Sequence, residues 1–91
     1  MRFVYKPSYK RSLKRLDPKT KSEVTETVCQ IIDFYSKRVG TPGLGIKNLR
    51  QNYWEGRSGL KMRVLFKFTR DLIEFILAGN HDDIRRFLNR L

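Results

Sequence analysis

The run from Tyr53 to His81 constrains the fold more than any other stretch of this chain. Tyr53 to Arg57, Leu60 to Thr69 and Leu72 to Ala78 are three β-rich segments, parted only by the short polar breaks Ser58-Gly59 and Arg70-Asp71. That spacing predicts an antiparallel meander. The faces of the meander depend on the first turn. A two-residue turn at Ser58-Gly59 sets Trp54 and Gly56 beside Lys61 and Arg63. A three-residue loop, Ser58 to Leu60, sets Glu55 and Arg57 opposite Arg63 and Lys61. The second register gathers Trp54, Met62, Val64, Phe66 and Phe68 on an apolar face, and Glu55, Arg57, Lys61, Arg63 and Lys67 on a polar one. A one-residue slip exchanges the faces of a strand, so burial selects the second register. Leu72 to Ala78 is apolar on both faces apart from Glu74, which predicts an interior strand.

The segments before the meander supply its cover. Arg2 to Lys6 alternates as a short strand with Phe3 and Tyr5 on one face, and Pro7 ends it and suits a first helical turn. Tyr9, Leu13 and Leu16 then form an amphipathic stripe, backed by Lys10, Arg11, Lys14 and Arg15. Asp17-Pro18 reads as an N-cap followed by proline at the first helical position. Val24, Val28, Ile31, Ile32 and Tyr35 mark a helix over 18–39, with Cys29 at the edge of the core and Gly40 as its left-handed C-cap. Thr41 to Gly45 is a loop without a phosphate-loop pattern, because no Gly-Lys-Ser/Thr follows. Ile46 to Arg50 leads into the meander, with Leu49 inward and Lys47 and Arg50 outward. After Gly79-Asn80-His81, Asp82 is placed to cap a short helix with the stripe Ile84, Phe87, Leu88 and Leu91, and Arg85, Arg86 and Arg90 on its basic side. The order β-α-α-β-β-β-α predicts an α+β fold over 1–91 as one domain. It is a small, mostly antiparallel sheet with a helical hairpin on one face and a short C-terminal helix.

Charge narrows the function. Twenty Lys and Arg against nine Asp and Glu give +11, in a chain that carries six Phe, four Tyr and one Trp for its core. Such an excess points to a polyanionic partner, most often nucleic acid, otherwise an acidic protein or a membrane surface; solubility alone is the plain alternative. One cysteine excludes an internal disulfide and a cysteine metal cluster, and one histidine excludes a multi-histidine zinc site. No metal or other cofactor is expected. No apolar run suits a membrane span or signal sequence, so the expected location is the cytoplasm, with no membrane partner.

Arg57, Lys61 and Arg63 crowd the polar sheet face with only Glu55 to offset them. Like charges on neighbouring strands repel by up to about 1 kcal/mol per pair, a cost relieved when an anion occupies the face. A solvated face of long side chains is the alternative. His81 follows an interior strand and precedes a helix N-terminus, where anions are favoured. A lone histidine there also serves as a structural hydrogen-bonder, but imidazole is the side chain suited to moving a proton near pH 7. These groups match metal-free RNA cleavage. The 2′-hydroxyl attacks phosphorus, a base takes its proton, an acid protonates the leaving 5′-oxygen, and guanidinium forks hold the charged transition state. Tyr53 is a candidate for stacking on unpaired bases, whereas Trp54 fits the core.

The chain resembles the RelE/ParE superfamily of toxins from toxin–antitoxin systems over nearly its whole length. The resemblance rests on the order of elements, on Leu49, Tyr53-Trp54, Arg57 and Met62-Arg63-Val64-Leu65-Phe66, and on Ala78-Gly79-Asn80-His81-Asp82-Asp83, which is similar to the family's Gly-x-His or Gly-His-Arg segment. It implies an mRNA interferase that cuts codons in the ribosomal A site without metal. The implied partners are mRNA, ribosomal RNA and a cognate antitoxin that wraps the toxin and blocks or distorts its site. By position, Arg63 matches the family's phosphate-binding arginine and His81 a histidine used as acid or base. Arg57 and Lys61 fall near other basic site residues, and Lys47 and Arg50 fall in a segment that touches ribosomal RNA. One departure is clear. Many members carry a catalytic tyrosine or other aromatic in the last helix, where Arg85 and Phe87 stand here. Phenylalanine stacks but transfers no proton, so His81, with Glu55 or Lys61, has to carry more of that work. The expected catalytic set is therefore Arg63, His81, Lys61, Arg57 and Glu55, and the expected RNA-binding set Lys47, Arg50, Tyr53, Lys67 and Arg85. The alternatives are a ParE-like gyrase inhibitor without nuclease activity, and a non-catalytic basic module that binds RNA or protein.

Overall fold

The computed structural model describes residues 1–37 and 43–91. Its elements are β1 (Arg2–Tyr5), α1 (Pro7–Lys14), α2 (Pro18–Lys37), β2 (Lys47–Arg50), β3 (Tyr53–Ser58), β4 (Met62–Thr69), β5 (Leu72–Gly79) and α3 (His81–Asn89). The expected C-cap at Gly40, the end of the helix read to residue 39, and Thr41-Pro42 lie outside the described residues. The α+β order holds, and the lead-in before the meander is itself the short strand β2.

The five strands run β1-β5-β4-β3-β2. Every neighbouring pair is antiparallel except β1 with β5, which is parallel. β5 is thus interior, as its two apolar faces require. β1 pairs only with Leu72 to Phe75, so the far half of β5 has an open edge. Two serines of α1 close it: the Ser8 hydroxyl donates to the Ile76 carbonyl at 2.6 Å, and Ser12 Oγ accepts from the Ala78 N–H at 3.0 Å. The backbone of an unpaired strand is satisfied by a helix instead of a further strand.

α1 and α2 lie on one face. Tyr9, Val24, Val28 and Ile31 pack on Val64, Phe66, Ile73, Phe75 and Ala78, all buried. Gly56 permits this close approach, since a Cβ there would lie 2.9 Å from Ile31 Cδ1. The α2 start is as expected: Asp17 Oδ1 accepts from the Thr20 N–H at 2.8 Å, and hydrogen bonding from the Thr20 side chain, then from its backbone, holds the Asp17 carboxyl below its ordinary range. Cys29, expected at the core edge, is exposed. It follows Val28 on the helix by about 100° of rotation, enough to leave the buried stripe.

The other face is not open throughout. A register shift between Leu65 and Phe66 leaves Ile76 unpaired, so Ile76 and Leu77 both join the cluster opposite the hairpin while Phe75 and Ala78 stay under it. α3 packs there, with Ile84 buried against Leu65 and Ile76. Burial of such side chains contributes about 1.5–3 kcal/mol each. The helix begins earlier than the Asp82 cap expected from sequence. Asn80 is the N-cap: its side chain accepts from the Asp83 N–H, and Asp83 Oδ2 accepts from the Asn80 N–H, both at 2.9 Å. This reciprocal capping box satisfies two orphan donors, which a cap at Asp82 leaves unmet.

Candidate active site and nucleic-acid interface

The turn between β3 and β4 decides which charges meet. The loop is Gly59 to Lys61, and the pairs are Ser58↔Met62, Arg57↔Arg63 and Glu55↔Leu65. The face assignment matches the expected register, but the pairing is displaced by two residues. Hydrophobic burial is blind to an even slip, because side chains alternate with a period of two. The local chemistry settles it: Gly59 takes the left-handed conformation, φ +67°, while Ser58 stays in the strand with its side chain on the buried face. Lys61 therefore does not sit in the strand opposite Arg57; it is exposed in the turn. Glu55 does not face Arg63 directly but reaches it on the diagonal.

That diagonal is the tightest polar contact of the sheet face. Arg63 Nη1 donates to Glu55 Oε2 at 2.9 Å, with side chains only 21% and 8% exposed. Arg63 Nε is buried and, among the described residues, has no hydrogen-bond partner. An ion pair this dry gains little net stability, because desolvation of both charges offsets their attraction. Such a pair is better suited to holding a guanidinium in place than to stabilising the fold. Lys47 lies across from Glu55 on β2, and Arg57 across from Arg63 on β3. Both side chains are exposed, on the face away from the helical hairpin.

The histidine arrives from the other side of Arg63. Gly79 on β5 pairs with Arg63, and His81 follows two residues later as the first residue of α3. Gly79 is required by close approach: a Cβ there would stand 2.7 Å from Asp83 Cβ and Oδ2, in the middle of the capping box. His81 is exposed, and its Nε2 lies 3.2 Å from Arg85 Nη2 one turn along. Arg85 donates in that contact, so the neutral ring carries its proton on Nδ1. Arg63, Glu55, Arg57 and Lys47 thus share one end of the sheet face, bordered by the helix start that bears His81 and Arg85.

The remaining expected residues stand apart from this group. α3 crosses the face from Gly79 towards β2, and Arg50 Nη1 donates to the Leu88 carbonyl at 3.1 Å, engaging the helix C-terminus. Tyr53, expected as a surface stacking platform, is half-buried, with its ring centroid 6.2 Å from that of Phe87. Lys67 Nζ sits 5.7 Å above the Tyr53 ring. Tyr53 and Lys67 pair with each other at the opposite end of β3 from Arg57. The capping box that fixes the helix start before His81 was not among the expected site residues; Asn80-x-x-Asp83 departs from the usual Ser/Thr-x-x-Glu/Gln signature by Asn at its first position and a shorter acid at its last.

No family model matches the sequence, and no curated protein sequence matches it. Solved structures do match. The RelB–RelE antitoxin–toxin complex from Methanococcus jannaschii superposes with a TM-score of 0.68 at 16% identity, over 92% of this chain and 96% of that one. The DinJ–YafQ complex from E. coli gives 0.70 at 14% identity, over 90% and 94%. A YoeB/ParE toxin from Agrobacterium tumefaciens gives 0.64 at 16% identity, over 89% and 99%. The chain shares the fold of these toxins over almost their full length.

Proposed function

We propose that this protein is the toxin of a toxin–antitoxin system, an endoribonuclease that cleaves mRNA in the ribosomal A site without a metal. The observation that carries the reading is the dry Glu55–Arg63 pair, 2.9 Å long, on a basic sheet face bordered by the helix start that presents His81. The fold shared with the RelE, YafQ and YoeB/ParE structures supports it. No helix among the described residues is long and apolar enough to cross a membrane.

In this mechanism the scissile phosphate takes up the Arg63 fork, whose unpartnered Nε is already turned from solvent. Glu55, released towards the 2′-hydroxyl, accepts its proton as O2′ bonds to phosphorus. The P–O5′ bond breaks, and His81, protonated at Nε2 once Arg85 has turned from the ring to a flanking phosphate, donates that proton to O5′. The products are a 2′,3′-cyclic phosphate and a free 5′-hydroxyl, and no other reactant is consumed. Arg57, Lys47 and Arg85 hold flanking phosphates, and Lys61 in the β3–β4 turn extends the same basic rim. Loss of one well-placed guanidinium from such a site costs about 3 kcal/mol in the transition state, a hundred- to a thousandfold in rate. The DinJ–YafQ and RelB–RelE complexes each pair a toxin with an antitoxin, and a cognate antitoxin is the expected protein partner here.

The test is cleavage of a defined mRNA by purified protein, with and without programmed ribosomes. The parent cleaves only with ribosomes, and Arg63→Ala and His81→Ala each abolish the product. A double variant that cleaves at the parent rate overturns the site assignment. Intact mRNA together with DNA-damage induction on expression supports the gyrase-inhibitor reading instead. Harmless expression without any partner leaves only a binding module.

A further inference from the structure

A polar pocket of about 250 Å³ lies between α2 and the β3–β4 turn, on the hairpin side of the sheet. Glu23 and Glu26 line it from the helix, Ser58 and Gly59 from the strand end and its turn. Ser58 is 5% exposed, and its Oγ is buried without a hydrogen-bond partner among the described residues. Thr27, which shares the pocket, is as deeply buried, but its hydroxyl donates to the Glu23 carbonyl at 3.1 Å and is satisfied. Glu23 and Glu26 are exposed and form no ion pair among the described residues, although Lys and Arg outnumber acids twenty to nine in the chain. Arg57 also borders the pocket, but its side chain leaves β3 on the face opposite to that of Ser58. Two carboxylates and an unmet hydroxyl thus meet in one recess.

We infer that this pocket binds a primary alkylammonium group, with Glu23, Glu26 and Ser58 Oγ as its three acceptors. The inference stands apart from the nuclease reading and uses none of its residues. Charge selects a cation: carboxylates three residues apart on a helix repel, and the repulsion falls when a cation lies between them. The acceptor set selects an ammonium. Its three N–H donors diverge from one nitrogen, and here the acceptors come from two directions, one turn of a helix and the strand end facing it. A guanidinium is planar and pairs its fork with a single carboxylate. A metal ion is less well served, because the pocket has two acidic side chains, and among the described residues no three of His, Cys, Asp and Glu stand together to hold one. The hydroxyl supplies further selectivity. A buried polar atom without a partner destabilises a fold, and an N–H donor seated in the pocket relieves that strain on Ser58. A quaternary ammonium brings the charge but no N–H. A Cβ on Gly59 meets no atom within 4 Å, so the alkyl chain has room to leave past the turn. The seated group ties α2 to the turn that carries Lys61.

The probes are butylamine, as a free amine, and Nα-acetyl-lysine amide, the same group as a protein presents it. Tetramethylammonium is the control cation. Binding to the full chain at constant, physiological ionic strength is read from the amide NMR resonances of Thr27, Ser58 and Gly59. At least one amine shifts them saturably, and the tighter of the two identifies the source of the group. Tetramethylammonium binds at least about tenfold more weakly, since it forms none of the charge-assisted hydrogen bonds. Glu23→Gln/Glu26→Gln weakens the amine by about ten- to a hundredfold. Asp71→Asn/Glu74→Gln, towards the far end of β4, makes the same charge change and alters affinity less than about twofold. Glu23→Gln and Glu26→Gln alone each give part of the loss, and they decide the matter if the double variant unfolds. Ser58→Ala weakens the amine about tenfold, while the melting temperature of the free protein holds or rises because an unmet polar atom has been removed. A fall in that melting temperature shows the hydroxyl already satisfied and overturns the proposal. So does the lack of a saturable shift with either amine, equal binding of tetramethylammonium, equal loss in both charge variants, or parent affinity in Ser58→Ala. None of these readouts involves mRNA cleavage, so a protein that binds the amine and cleaves nothing defeats the nuclease reading and leaves the pocket standing.

Discussion

Replacing Arg63 by Met separates what the Glu55–Arg63 pair does for the fold from what it does for the reaction. At 2.9 Å the two charges attract by about 6 kcal/mol at an effective dielectric near 20. Desolvation takes back several kcal/mol for each ion, so the intact pair contributes little net stability. Its removal by halves is another matter. In Arg63→Met the Glu55 carboxylate keeps its burial, 6% exposed, and loses its partner, a change that costs about 3–5 kcal/mol. Lys47 across the strand is exposed and can turn towards the orphan, which sets the expected cost near 3 kcal/mol. For a domain of this size that lowers the melting temperature by roughly 12–24 °C. The double variant Arg63→Met/Glu55→Met restores an apolar contact of similar volume and returns stability to within about 1 kcal/mol of the parent. Cleavage is lost in both variants. The assay is a double-mutant cycle by urea denaturation, run beside ribosomal mRNA cleavage. Parent-like stability in Arg63→Met shows that the carboxylate does not depend on the guanidinium. Restored cleavage in the double variant removes Arg63 from the mechanism.

Other outcomes follow from the same contacts. Gly79→Ala drives a Cβ into Asp83, breaks the capping box and moves the start of α3. It costs about 1–2 kcal/mol, speeds hydrogen exchange at the Asp83 and Ile84 amides and lowers cleavage, and unchanged exchange refutes the role given to Gly79. Arg50→Met releases the Leu88 carbonyl and costs about 0.5–1 kcal/mol, visible as earlier melting with cleavage retained. Burial pushes the Tyr9 hydroxyl up from 10.0 to about 12. Its folded value lies above the unfolded one, so the stability it contributes is complete below pH 10 and is lost as pH rises towards 12. That loss is on the order of 3 kcal/mol, and urea titrations of Tyr9→Phe show it removed.

The pattern of apolar residues settled the layers of this fold, and turn chemistry settled the details. Val24, Val28 and Ile31 had only one stripe to offer, and Leu72 to Ala78 had no polar face to expose, so their places were legible. The face carrying Arg57, Glu55 and Arg63 was legible too, because burial distinguishes odd slips of register. The displacement by two residues was not, since it buries the same side chains; only the left-handed Gly59 chooses, and that choice put Lys61 in the turn. Tyr53 was misplaced for a different reason. Its partners Phe87 and Lys67 come from a helix and a strand that its own neighbourhood in sequence does not reveal. Asn80-x-x-Asp83 could have been read as a capping box, and reading it so places His81 at the first helical position.

α3 binds these observations into one mechanical unit. Ile84 plugs the core on Leu65 and Ile76, the capping box fixes the helix start, and Arg50 engages its end. The same helix carries His81 beside the proposed site and Arg86 and Arg90 on the side that faces α1. A ligand that binds better with α3 seated than displaced must favour the seated position of His81, and one that prefers the displaced helix must disfavour it. Coupling is reciprocal, so under the proposed function RNA bound at Arg63 and His81 favours the seated helix by the same factor by which seating tightens RNA binding. Gly79→Ala, which unseats the helix start, therefore reduces that factor. Hydrogen exchange at the Ile84 amide, measured in this variant with and without a non-cleavable RNA, reads the coupling directly. A factor as large as the parent's means that RNA is held by the sheet face without α3.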